Sequence, residues 1–147
     1  MVVNDNALGG NHAGLFAGKQ LLDPAGSYFG VRGRDALWPG PTLTDYARYQ
    51  TIDGPKIRIY RFHLDSGNFA LLRQRMLDAH PTPPLFCAAT VQNLLAGLAP
   101  FAGLASTAFT TPSALGRKLD ALLGSTPESG SCQQLDGSPC RQPGHAP

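Results

Sequence analysis

The stretch Asn11-His12-Ala13-Gly14-Leu15-Phe16-Ala17-Gly18-Lys19-Gln20-Leu21-Leu22-Asp23-Pro24-Ala25-Gly26 decides the architecture of this 147-residue chain. Two apolar runs of strand length flank Gly18-Lys19, and glycine supplies the positive φ that a two-residue hairpin turn demands. With that turn in place, Ala17 faces Gln20, Phe16 faces Leu21, Leu15 faces Leu22 and Gly14 faces Asp23. Side chains two apart share a face of a strand, so His12 stands beside Gly14 and diagonal to Asp23. Diagonal neighbours lie about 7–8 Å apart by backbone, within reach of an imidazole and a carboxylate. A carboxylate so placed holds the ring in one tautomer and stabilises its protonated form. Gly14 between them has no side chain to block a substrate. A plainer alternative stands beside this one: Asp before Pro commonly starts a turn, and the pair is then only the end of a hairpin.

Working outward, the next informative segment is Pro81-Thr82-Pro83-Pro84-Leu85-Phe86-Cys87-Ala88-Ala89-Thr90-Val91-Gln92-Asn93-Leu94-Leu95. The prolines forbid a helix arriving from upstream, while Cys87, Val91, Leu94, Leu95 and Leu98 recur at helical spacing. A helix therefore starts near Phe86 and carries Cys87 in its first turn. Unpaired N–H groups and the positive end of the helix dipole favour a thiolate there, and the same groups can receive the oxyanion of a tetrahedral intermediate. The alternative is a free cysteine packed as a small hydrophobe.

The run "HAGLFAG" into "LLDPAG", then a strand, a helix and a helix headed by "CAATVQNLL", resembles the permuted papain-like thiol hydrolases. These are the circularly permuted branch of the NlpC-type cell-wall peptidase and lecithin:retinol acyltransferase group, in which histidine precedes cysteine. The resemblance covers residues 11–123 and implies an α+β fold, with a small antiparallel sheet packed against the cysteine helix. It further implies Cys87 as nucleophile, His12 as general base and acid, and Asp23 as the polar third member. Phe86 stands where many members carry Asn, so no side-chain contribution is expected from that position. By the same resemblance the chain is a bacterial amidase or endopeptidase acting on peptidoglycan peptides, delivered into rival cells by a specialised secretion apparatus and neutralised by an immunity protein. The alternatives are a lipid esterase or acyltransferase of the lecithin:retinol type, and a non-catalytic interaction domain on the same fold.

Composition bounds the remainder. A chain of this length forms one domain and buries about two thirds of its unfolded surface without cross-links. Charged residues are only 15%, beside 17 glycines and 13 prolines, so long loops and a weakly charged surface are expected. A net charge of +2 argues against a nucleic-acid partner, and Arg32, Arg34, Arg58 and Arg61 read as solvated surface. Gly9-Gly10 and Gly30-Val31-Arg32-Gly33 lack the context of a phosphate loop. His12, His63, His80 and His145 lack zinc-ligand spacing, so neither metal nor cofactor is expected. His63, with Asp65 two residues on, is the rival for the base but has no hairpin partner.

Residues 27–43 read as a long aromatic loop with Tyr28, Phe29 and Trp38, either a lid or the cover of a small core. A short helix follows over 44–49 with Thr44 as cap, then a strand over 56–64. Asp65 or Ser66 caps a helix to about residue 79 with Phe69, Leu72, Met76 and Leu77 inward, and a last helix spans 113–123. Residues 124–147 read as a flexible Ser/Gly/Pro-rich tail, in which Cys132 and Cys140 can pair and leave Cys87 free. Residues 81–116 contain no charge, yet prolines cut them below the roughly 20 residues a membrane span needs. The eleven residues before His12 carry no basic-plus-hydrophobic leader, so no conventional signal peptide is expected.

Overall fold

The computed structural model describes residues 1–26, 28 and 36–140. Among these, six strands form one antiparallel sheet: β1 Val2–Asn4, β2 His12–Ala17, β3 Gln20–Asp23, β4 Ala36–Pro39, β5 Ile57–Phe62 and β6 Gly130–Gln134, in spatial order β4-β3-β2-β1-β5-β6. Four α-helices accompany them: α1 Leu43–Gln50, α2 Ser66–Leu77, α3 Cys87–Leu95 and α4 Pro112–Ser125. The architecture is α+β.

The hairpin has the expected register, with Leu15 opposite Leu22, Phe16 opposite Leu21 and Ala17 opposite Gln20. Gly18 turns it at φ +60°. The first half of β2 pairs elsewhere: Gly14, Ala13 and His12 lie opposite Val2, Val3 and Asn4 of β1. β1 in turn pairs with β5, so the centre of the sheet is a three-residue strand that no periodicity announces. Its alternation is real but too short to recognise. Val3 joins Met1, Ala13, Leu15, Leu22 and Tyr60 beneath α2, α3 and α4, where Leu115 and Leu119 are fully buried. Val2 joins Leu21, Ile57 and Ile59 on the opposite face, under Tyr46 and Ala47 of α1. Each fully buried Leu or Val contributes about 1.5–3 kcal/mol, so both layers are held by the pleat's period of two.

Several expectations need correction. The segment 36–39, expected inside a loop, is strand β4 on the free edge of β3, and Trp38 lies opposite Leu21. Phe29, Arg32, Arg34 and the Gly30–Gly33 run lie outside the described residues, as do 141–147. Helix α1 is capped by Thr42, not Thr44, because the Thr42 hydroxyl is the one that accepts the Asp45 N–H, at 3.0 Å. On α2, Asp65 is the cap, but Leu77 is exposed because the stripe facing the core ends at Met76. The boundary placed at residue 123 falls inside α4, and residues 124–140 are not a loose tail. β6 completes the sheet beside β5, with Tyr60 opposite Cys132, and a Cys132–Cys140 disulfide closes the segment. Backbone pairing and a covalent link supply the order that apolar content does not. Arg58 is not solvated surface either. Its guanidinium meets Asp5 at 2.5 Å, off the N–H axis, and Asp120 at 2.6 Å, and Tyr60 donates to Asp120 at 2.7 Å. Helix α4 covers this part of β5, so the charge is paired under it.

Candidate active site

His12 opens β2 and Asp23 closes β3, so the hairpin brings together two residues eleven apart in sequence. Asp23 then enters a tight turn in which the Gly26 N–H donates back to the Asp23 carbonyl at 3.1 Å. Across the sheet face, His12 Nε2 lies 2.6 Å from Asp23 Oδ1. The diagonal contact expected from the register is made.

The carboxylate is fully buried, and donors among the described residues reach it from two further positions. The Tyr46 hydroxyl donates to Oδ1 at 2.5 Å, and the Tyr28 backbone N–H donates to Oδ2 at 2.8 Å. Three donors converging on one carboxylate favour its ionised form. Tyr46 is itself buried; burial first, and then the adjoining Asp23, keep its hydroxyl protonated well above the usual range.

Cys87 reaches the same point from the other layer. His12 opens its strand and Cys87 opens α3, and the thiol lies near enough to the imidazole for its interaction to raise the His12 pKa. Burial by itself pulls the His12 pKa down, but the hydrogen bonds to Asp23 and Cys87 and their fields overcome it and push it up to about 10. At neutral pH the ring carries a proton that it can deliver to a neighbour. Cys87 is the free cysteine, since Cys132 and Cys140 are bonded to each other.

At the head of α3, Phe86 occupies the N-cap and makes no side-chain cap hydrogen bond. The first intrahelical bond runs from the Thr90 N–H to the Phe86 carbonyl at 2.9 Å, so the N–H groups of the preceding turn have no capping side chain. Apolar surface lies alongside. Leu85, Phe86 and Phe109 are exposed, and the Phe86 and Phe109 rings meet edge-on with centroids 5.7 Å apart. A cleft of about 530 Å³ opens beside Phe86, along Ala89, Thr90 and Asn93 of α3 and the segment 79–83.

His12 and Asp23 are in direct contact and Cys87 lies near the same ring, whereas His63 is not part of the group. It follows β5, separated from β2 by β1, and its backbone N–H donates to Ser129 at 2.9 Å. Among the described residues no group of three or more His, Cys, Asp or Glu is placed to hold a metal ion. No helix among them is long and apolar enough to cross a membrane. Gly14 has a different role from the one expected. A Cβ there would lie 2.6 Å from Tyr46 Cε1, so the glycine makes room for the tyrosine and not for a substrate. Tyr46 is the member that sequence reasoning missed; a tyrosine on an amphipathic helix reads as core, and only the packing of α1 on the hairpin reveals its hydroxyl's target. Compared with protein-family models, with curated proteins and with solved structures, the chain matches none.

Proposed function

We propose that this chain is a cysteine hydrolase that cleaves amide bonds, with peptidoglycan peptides as its substrate class and a permuted papain-like arrangement of its catalytic groups. The observation that carries the proposal is a buried grouping, in which the Asp23 carboxylate holds His12 Nε2 at 2.6 Å and the Cys87 thiol, at the uncapped start of α3, lies close enough to the same ring to raise its pKa. In the acylation step the Cys87 sulfur attacks the scissile carbonyl carbon, the C–N bond breaks, and the imidazolium of His12 protonates the departing amine. Water, deprotonated by the now neutral His12, then attacks the thioester, the C–S bond breaks, and the acid leaves with Cys87 restored as thiolate beside the imidazolium. First-turn N–H groups of α3 receive the oxyanion in both steps. The Cys132–Cys140 bond suits an oxidising compartment, and with this reading we propose export by a specialised secretion route and an immunity protein in the producing cell.

A second reading, a lipid esterase or acyltransferase, draws on the exposed Leu85, Phe86 and Phe109 next to the nucleophile. Purified wall sacculi and phospholipid vesicles, each treated with wild type and Cys87→Ala, separate the two by product mass. Release of wall peptides by wild type alone is the expected result; products from vesicles only would move the assignment to lipid. A third outcome, no product from either and Cys87 alkylating at pH 6 no faster than an ordinary thiol, would make the chain a binding domain with a packed cysteine.

A further inference from the structure

We propose that Tyr46 is a positioning member of the Cys87–His12–Asp23 site, whose hydroxyl sets how firmly His12 holds the proton it must deliver; the inference rests on the hydrolase reading above. Tyr46 comes from α1, in the layer opposite α3. Its hydroxyl donates at 2.5 Å to Asp23 Oδ1, the same oxygen that meets His12 Nε2 at 2.6 Å. Two donors on one oxygen divide its charge, so each bond weakens the other's pull on its proton. Oδ2 is already held by the Tyr28 N–H, which leaves the carboxylate no freedom to turn away from either partner.

The surroundings are arranged for this hydroxyl. Strand β2 carries glycine at position 14, directly beneath the ring, where any Cβ would overlap it. Phe16 and Tyr28 clamp the ring edge-on, with centroids 5.7 and 5.3 Å away, and the side chain is fully buried. The groups that face His12 are Asp23 from β3 and Cys87 from α3; Asn4, its partner on β1, carries no charge. Behind Asp23 stand the Tyr46 hydroxyl and the Tyr28 N–H, and the Tyr28 ring packs edge-on against Tyr46 and Tyr49.

The consequence is chemical. An imidazolium clamped by an undivided carboxylate surrenders its proton slowly to a leaving amine, and one that shares the carboxylate with a hydroxyl surrenders it faster. Tyr46 thus keeps a strongly held acid usable, without touching the substrate.

The test compares wild type, Tyr46→Phe and 3-fluorotyrosine placed at position 46 in the full chain. His12 ring nitrogen shifts are followed by NMR across the pH range, and amide hydrolysis is followed in parallel. Removing the hydroxyl should raise the His12 titration by about one unit, the size expected of a hydrogen bond to a charged group. It should also lower kcat about tenfold with KM nearly unchanged. Fluorotyrosine, a stronger donor, should move the titration the other way. A His12 titration that stays put or falls in folded Tyr46→Phe overturns the inference, as does movement in the same direction in both variants. Should Tyr46→Phe not fold, the fluorotyrosine chain alone decides by the sign of its shift. The NMR reading needs no substrate, so a wild type inactive on every substrate would sink the hydrolase proposal while the coupling of Tyr46 to His12 was still measured directly.

Discussion

Replacing Asp23 by Asn removes the charge at the centre of the site and changes little else in volume. In the wild type the carboxylate accepts from His12 at 2.6 Å, Tyr46 at 2.5 Å and the Tyr28 N–H at 2.8 Å, with no exposure to water. An amide offers one acceptor oxygen and one NH₂. If its oxygen replaces Oδ1, the NH₂ confronts the Tyr28 N–H; if flipped, it confronts the Tyr46 hydroxyl and forces His12 into the other tautomer. In the first case a buried donor faces a donor, and in the second the Tyr46 hydroxyl must turn its proton away and loses its acceptor; either costs about 1–3 kcal/mol, and the charge assistance to His12 is lost as well. We expect Asp23→Asn to be less stable than wild type by about 3 kcal/mol at pH 6.

The deficit should also depend on pH, with a definite sign. The folded-state pKa of His12 is raised from 6.5 to about 10, so the imidazolium–carboxylate pairing contributes fully below about pH 6.5 and is lost as pH rises through about 10. The net shift, in which the opposing burial is already counted and Cys87 contributes beside Asp23, corresponds to about 5 kcal/mol. Urea unfolding at pH 6, 7.5, 9 and 10, followed through Trp38, measures the gap between the two proteins. Trp38 is the only tryptophan and packs edge-on against Tyr28, 5.7 Å between centroids, so it reports on this cluster. A gap that narrows between pH 6 and 10 supports the charged pairing. One that is constant or widens would refute it.

Other predictions follow from the rest of the sheet. Replacing Cys132 and Cys140 together by Ser should lower stability by about 2–2.5 kcal/mol, the loop-closure value for a short loop, and should speed amide exchange along β5, while Cys87 alkylates as before. Arg58→Met strips the cation from between Asp5 and Asp120, of which Asp120 is buried; a loss of about 2–4 kcal/mol in urea unfolding is expected, and recovery in Asp120→Asn/Arg58→Met would identify the stranded charge as its cause. Gly14→Ala should destabilise by about 1–3 kcal/mol by thermal unfolding, because the added methyl overlaps the Tyr46 ring.

The local chemistry of the chain was legible where a short-range rule applied. A glycine-led two-residue turn sets the hairpin register, and the register alone places His12 diagonal to Asp23. Prolines followed by helical spacing put Cys87 in a first turn. Asp65 announces its own helix. These elements need no partner in order to be recognised, because turn geometry and helix periodicity act within about ten residues.

What lay beyond that range was decided only by packing. Val2–Asn4 is too short to show alternation, and it becomes the middle of the sheet because β2 and β5 both pair with it. Gly130–Gln134 has little apolar content, and it is ordered by hydrogen bonds to β5 and a covalent link. Arg58 turns from a surface charge into a paired one when α4 closes over it, and Gly14 turns from an open space into the seat of a tyrosine. Tyr46 meets Asp23 because burying α1 on one face of the hairpin, while α3 covers the other, is the arrangement that removes both apolar faces from water. That burial is a property of the whole molecule, since hydrophobic free energy depends on the total area hidden and not on neighbours along the chain.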